Sequence, residues 1–452
     1  MARKGDERVM AGGNFDINQP KVRPGSYMNF AAKKTYAPSV SSRGVVVVPL
    51  VGYDWGPDAK FIELDNDAPD AEIAQLGRSI YDDNELVRLV RLAFENAVKV
   101  WVYIIAGGTK AKVVKDALTI TAKYAGKRGN DITVTSTANV DGGFDVSLYL
   151  AGELMETFAG VATVEELKGF ESLYVDFSGE GELTAFAGAV LEGGQAAENK
   201  NSSFTAFLDA VEKVKCNTVL IPVSEESLAV AAASKVKYLR TKVGKTVQFV
   251  FADYAGDDIG IINVVNSFHL YDRDLSLVEA AAWVAGATAA ATKAQSNTHK
   301  VVSNATAVVG ELTNEQAEEA ILAGKMFFSM SDDTGEVIVE YDINSLVHPN
   351  STQDDSYKKN RVIRVFDSFA DDLRAIIRPN QFDNEPKGWE KMLQLGKLLL
   401  KQYEKDNAIK NVSADDDFMI DQSRSKGDAT YFNVALQPVD SAEKLYYSIS
   451  TQ

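Results

Sequence analysis

The stretch from Tyr431 to Gln452 carries strand chemistry where most chains carry a frayed, polar end. Phe432, Val434 and Leu436 alternate with small or polar residues, Pro438 interrupts, and Leu445, Tyr447, Ile449 and Thr451 alternate again. A period of two predicts half-buried strands. Their amides and carbonyls need partners once buried, so each run requires a sheet edge. That edge belongs either to the chain's own fold or to a second copy, and the second option makes the chain a building block.

The rest of the chain reads as α/β. Val45 to Val51 is a continuous apolar run, the pattern of a strand covered on both faces. Asp82 to Val98 has helical periodicity, with Leu86, Leu89, Val90 and Ala93 on one face and Asp82 or Asp83 as the cap. It runs into a second buried strand, Val100 to Ile105. From Ala111 the texture changes to alternating strands at Leu118–Ala122, Asp131–Thr135 and Phe144–Leu150, with turns at Gly126–Asn130 and Asp141–Gly143. This β-rich insertion ends near Gly193-Gly194. Helices at about 202–214 and 225–242 then alternate with strands at 217–222 and 247–252, which implies a mainly parallel sheet. An alanine-rich helix follows at 276–293, and two long helices occupy about 359–378 and 388–407.

The predicted organisation is an N-terminal arm at 1–34, core α/β at 35–110, the insertion at 111–195 and core again at 196–345. A C-terminal α+β region at 346–437 and a strand arm at 438–452 complete it. The N-terminal arm has seven Lys and Arg against three Asp and Glu, net +4, on a body of −21. Gly12, Gly13, Pro20, Pro24 and Gly25 keep it out of helix, while Phe15-Asp16-Ile17 offers a short alternation for a strand. Two readings stand for it: a disordered tail, or an arm steered by charge onto a like body next door.

Charge and composition narrow the function. A net charge of −17 argues against a general nucleic-acid binder, which needs clustered cations for phosphate. One cysteine, Cys216, allows no intrachain disulfide, fits a reducing compartment and reads as core packing. The first residues lack the apolar core of a signal peptide, and no run of about 18 apolar residues predicts a membrane span.

Catalytic motifs fail on inspection. His269, His299 and His348 have no second His or Cys at metal-ligand spacing. Gly244-Lys245-Thr246 lacks the first glycine of a phosphate loop, since Leu239 stands there. Asp333-Thr334-Gly335 occurs once, whereas an aspartic-protease dyad needs two such sites, so it reads as a hairpin turn. Asp257-Asp258 and Asp415-Asp416-Asp417 lack the spaced ligands and glycine of a calcium loop and read as solvated charge. No cofactor, metal site or catalytic residue is predicted.

Several segments together resemble the contractile tail sheath proteins of bacteriophages and phage-tail-like bacteriocins. They are Lys21-Val22-Arg23-Pro24-Gly25-Ser26-Tyr27, Arg43-Gly44-Val45-Val46 and Gly52-Tyr53-Asp54-Trp55-Gly56-Pro57 near the start. Ala122 to Ile132, Ala281-Ala282-Trp283-Val284-Ala285-Gly286, Tyr341 to Leu346 and Leu436 to Tyr446 follow in order. Ser296 to Ala305 departs from the pattern, lacking the "AP" segment of better-known sheaths, which points to the subgroup of Gram-positive phages and defective prophages.

The resemblance implies a multidomain α/β sheath fold and a homo-oligomer of stacked six-membered rings wound helically around a tail tube protein. It further implies baseplate and tail terminator partners, assembly in the bacterial host cytoplasm and a place in the virion tail or a tail-like particle. In such sheaths the arms add strands to neighbouring subunits, which makes Phe15, Ile17, Leu445, Tyr447, Ile449 and Thr451 the expected arm strands. Gly12, Gly13, Pro20, Pro24, Gly25 and Pro438 are the expected hinges, with the β insertion outermost and 346–437 nearest the tube. No enzymatic activity, nucleic-acid binding or membrane insertion is expected. The competing readings are a static tail tube or fibre subunit, and an α/β enzyme whose terminal strands close its own sheet.

Overall fold

The computed structural model describes residues 43–196 and 201–450. A seven-stranded sheet forms the centre, in the order Lys325–Met326, Ile261–Val264, Gln248–Ala252, Thr218–Ile221, Val45–Val51, Lys99–Ile105, Phe61–Asp65. Every pairing in it is parallel except the last. Parallel strands need covered faces, and alternation along Val45–Val51 supplies both. Val46, Val48 and Leu50 enter one apolar core with the helices Glu85–Phe94 and Leu277–Ala290. Val47 enters the opposite core, with Phe204, Phe207 and Val211 of the helix Asn201–Val211 and Ala232 and Val236 of the helix Glu226–Tyr238.

Small residues let the first pair of helices close up. A Cβ on Gly286 would stand 2.2 Å from the Ala93 carbonyl oxygen, so only glycine permits that approach. The alanine-rich helix starts at a full capping box, Ser276 with Glu279. The cap of the helix Glu85–Phe94 corrects the sequence reading: Asn84, not Asp82 or Asp83, accepts from the Leu86 and Val87 amides. Asp83 instead pairs with Arg88 at 2.6 Å.

The insertion is wholly antiparallel. One sheet runs Phe186–Val190, Ile132–Ala138, Phe144–Leu150, Glu153–Val161, and the other Lys112–Lys115, Leu118–Ala122, Val175–Gly179. Bridges Lys112–Glu192 and Thr109–Gln195 join them. The turn Lys127–Asp131 fastens the insertion to the core, with the Arg128 amide donating to the Asp54 carbonyl at 3.1 Å. Two segments that carry the family resemblance thus meet each other.

The C-terminal region has its own small core. Val365 and Phe369 of the helix Asn360–Ile376 pack with Leu399, Leu400 and Tyr403 of the helix Pro386–Lys405. Phe418 closes that core from a two-stranded sheet, Phe418–Ile420 with Phe432–Val434.

Candidate assembly site: the root of the C-terminal tail

Phe432 and Val434 find their edge within the chain, while Leu436 lies beyond the strand and packs on the same small core. Phe432–Val434 pairs antiparallel with Phe418–Ile420, which answers the first half of the strand question. Gly396 makes room for this small sheet, since a Cβ there would stand 2.2 Å from the Phe418 ring. Neither strand has a further partner strand among the described residues. Met419 and Val434 are exposed on it.

The second run behaves differently. Pro438, expected as a hinge, is pinned: it bridges Ile409, the Lys410 amide donates to the Gln437 carbonyl, and the Val439 amide donates to the Ala408 carbonyl, both at 2.9 Å. The backbone on both sides of Pro438 is hydrogen-bonded to 408–410.

Side chains take over beyond it. Lys359 Nζ lies 2.5 Å from Asp440 Oδ2 and 2.9 Å from Glu443 Oε2. Burial works against the Lys359 ammonium, but hydrogen bonds from Asp440 and Glu443 outweigh it and hold its pKa well above the ordinary lysine value. Arg361 Nη1 donates to Ser441 Oγ. Ser296 Oγ and Thr298 Oγ1 donate to Glu443 Oε1 at 2.9 and 3.0 Å.

Residues 444–450 then form no helix or strand, and none of the expected strand pairing occurs among the described residues. Leu445, Tyr447 and Ile449 are 63%, 79% and 93% exposed. Thr451, Phe15, Ile17, Gly12, Gly13, Pro20, Pro24 and Gly25 lie outside the described residues.

Below the root lies a buried polar seam between the α/β body and the C-terminal helices. Asp342 accepts from the Asn297 amide at 2.9 Å, from Asn360 Nδ2 at 3.0 Å and from Arg364 Nη2. Gln248, on the central sheet, donates to Asn360 Oδ1 at 2.9 Å. Lys293 pairs with Asp406 at 2.9 Å and sits 4.1 Å over the Tyr403 ring.

The other polar groups singled out from sequence are structural. Asp257 accepts from the Val347 and His348 amides and from His348 Nδ1, so it clamps a loop and is not merely solvated. Asp258 caps the Gly260 amide, and Asp415 pairs with Lys397. Lys245 donates to the carbonyls of Val211 and Val214, and Thr246 to Asp371. Asp333-Thr334-Gly335 is the turn of the hairpin Phe328–Met330 with Val337–Val339. Burial pushes the Cys216 thiol up to about 12. Among the described residues no group of His, Cys, Asp and Glu is placed to hold a metal, and no helix is long and apolar enough to cross a membrane.

The chain thus combines an α/β core, an inserted module of two antiparallel sheets and an exposed tail held at its root. Comparison with known proteins gives the family. The phage tail sheath β-sandwich domain matches residues 106–198, the phage tail sheath central domain 197–345, and the phage tail sheath C-terminal domain 352–452. The chain is 33% identical to Phage-like element PBSX protein XkdK of Bacillus subtilis (strain 168), over 97% of this chain and 99% of that one. It superposes on the sheath tail protein of Desulfitobacterium hafniense with a TM-score of 0.81 and 34% identity, covering 94% of this chain and 99% of that one. The anti-feeding prophage helical sheath in its contracted state shares the fold at a TM-score of 0.56 and 14% identity, over 96% and 100% of the two chains.

The chain belongs to the contractile phage tail sheath family. It is a structural subunit of a tail sheath, with the multidomain α/β fold of that family.

Proposed function

We propose that each copy is linked to its neighbours by strand addition, with residues 444–450 pairing onto the two-stranded sheet Phe418–Ile420/Phe432–Val434 of an adjacent copy. The observation that carries this is a tail whose Leu445, Tyr447 and Ile449, alternate residues in the sequence, are all exposed. A two-stranded sheet alone is marginal, and a third strand from outside would stabilise it. Main-chain bonds would give the affinity and alternate side chains the register.

Magnitudes favour a cooperative lattice over a tight pair. Burying a large apolar side chain is worth about 1.5–3 kcal/mol, whereas ordering one backbone residue costs about 1–2 kcal/mol. A single docked tail is therefore close to neutral, and repetition over many subunits holds the assembly. The basic arm 1–34, with Phe15 and Ile17, would make a second link, and Gly12, Gly13, Pro20, Pro24 and Gly25 its hinges. Such non-closing contacts generate an open helix, in this reading stacked six-membered rings around a tail tube, attached to a baseplate and closed by a terminator. The helical, contracted anti-feeding prophage sheath, which has this fold, supports that picture. Contraction would be a repacking of rigid bodies about persistent links, driving the tube through the target envelope. The β insertion would lie outermost and the C-terminal helices nearest the tube.

A chain stopped after Glu443 tests this reading. It is expected to give a folded monomer by circular dichroism and gel filtration, and no striated tubes by electron microscopy. Tubes at the full-length yield would overturn strand addition by the C-terminal tail.

A further inference from the structure

Strand addition needs more than a sticky tail: the tail must leave each body at one place and in one direction, or the register of the lattice is lost. The root described above has the geometry to set both. Among the described residues the tail's backbone–backbone bonds stop at Val439. Four residues then follow whose polar side chains, Asp440, Ser441 and Glu443, all find partners on the body. Beyond Glu443 the described tail makes no side-chain hydrogen bond or ion pair among the described residues, and its side chains stand in solvent.

Glu443 is the last and deepest of these anchors. Its side chain is 9% exposed, against 44% for Asp440. It takes hydrogen bonds on both oxygens and from two parts of the fold. Ser296 and Thr298 belong to the loop after the alanine-rich helix, and Lys359 stands at the cap of the helix Asn360–Ile376. Thr298 Oγ1 in turn accepts from the Asp342 amide at 3.1 Å, and Asp342 holds Asn360 and Arg364. The carboxylate therefore sits on the seam between the α/β body and the C-terminal helices. Both of its hydroxyl partners lie in Ser296 to Ala305, the stretch that departs from better-known sheaths.

We infer that Glu443 is the positioning residue of the tail: held by Ser296, Thr298 and Lys359, it sets Lys444 as the point of departure and ties the tail to the seam between the two parts of the subunit. This rests on the tail reading above and refines it. It replaces Pro438 as the place where the tail becomes free. Tension on a docked tail would reach the seam directly, instead of being absorbed by slack chain between 438 and 443.

The test starts with the full-length monomer, before any assembly. Glu443→Ala is expected to speed exchange of the Val439 amide, which donates to the Ala408 carbonyl, at least tenfold, with the amides of the helix Asn360–Ile376 unchanged as internal control. Ser296→Ala should act in the same direction but more weakly, and adding it to Glu443→Ala should bring no further increase. Glu443→Gln, which keeps an acceptor for the two hydroxyls but loses the ion pair, should fall between. On assembly, Glu443→Ala should give tubes of scattered diameter. Unchanged protection at Val439, loss of protection in the helix to the same degree, or tubes as uniform as those of the unaltered protein would each overturn the assignment. The chain stopped after Glu443 keeps the anchor but lacks the tail, so it fails or succeeds independently.

Discussion

Arg240 grips Asp367 with both arms of its guanidinium, Nη1 to Oδ2 and Nη2 to Oδ1, each at 2.8 Å. The side chains are 12% and 11% exposed, so bulk water hardly screens the pair. Arg240 lies in the π-type turn Leu239–Val243, and Asp367 in the helix Asn360–Ile376. With Lys293–Asp406, Gln248–Asn360 and Arg364–Asp342, it makes the junction between these parts mainly polar. Fixed geometry is what such a junction supplies, because buried ion pairs contribute little net stability yet tolerate no loss of a partner.

Asp367→Ala should therefore destabilise the protein by about 3–5 kcal/mol, since Arg240 is left charged and desolvated. Thermal unfolding followed by circular dichroism would register a clear drop in Tm. The double replacement Arg240→Met/Asp367→Leu should recover much of the loss, because no stranded charge remains. A double variant as unstable as the single one would mean that packing, not charge, holds the junction.

Gly396→Ala tests the small C-terminal sheet. The added methyl meets the Phe418 ring at 2.2 Å, and overpacking of this kind costs about 1–3 kcal/mol. Faster amide exchange at Phe418–Ile420 and Phe432–Val434 is expected, together with a lower yield of tubes. Wild-type exchange there would show that the ring moves aside freely.

Acid should weaken the pairing of the helices Glu85–Phe94 and Leu277–Ala290. Burial alone would raise the Glu279 pKa, but hydrogen bonds from Arg88, at 2.7 Å, and from Ser276 outweigh it and hold it below the ordinary 4.5. The folded value lies below the unfolded one, so this stabilisation is complete above about 4.5 and disappears as pH falls through the folded value. Glu279→Gln should lower Tm at neutral pH and flatten the fall of Tm in this acid range. Parallel Tm curves for the two proteins would contradict the assignment.

Asn84→Ala should cost about 0.5–2 kcal/mol through loss of the helix cap. Asp82→Ala, at an exposed residue outside the cap, should stay within about 0.5 kcal/mol. Equal effects in urea unfolding would put the cap elsewhere.

Local pattern made much of this fold legible. Val45–Val51, Leu118–Ala122 and Phe144–Leu150 begin and end where periodicity places them, because each strand has one environment along its whole length. Glu153–Val161 is not legible in the sequence, since it is mostly exposed and does not alternate cleanly. Lys112–Lys115 is short and half charged. The cap at Asn84 is hidden for a simpler reason: Asp82, Asp83 and Asn84 are all good caps, and only backbone geometry chooses among them.

The sequence by itself determined the parallel core, the β insertion and the family. These rest on residues within a few positions of one another, where side-chain period and backbone preference act together. Only the tertiary structure decided that the backbone beside Pro438 bonds to 408–410, that Phe432–Val434 pairs at home and that the last side-chain anchor of the described tail is Glu443. The bonds responsible span long stretches of chain, with Glu443 and Ser296 147 residues apart. A contact of that span leaves no periodic trace, because its partners meet only after the helices and the central sheet have packed.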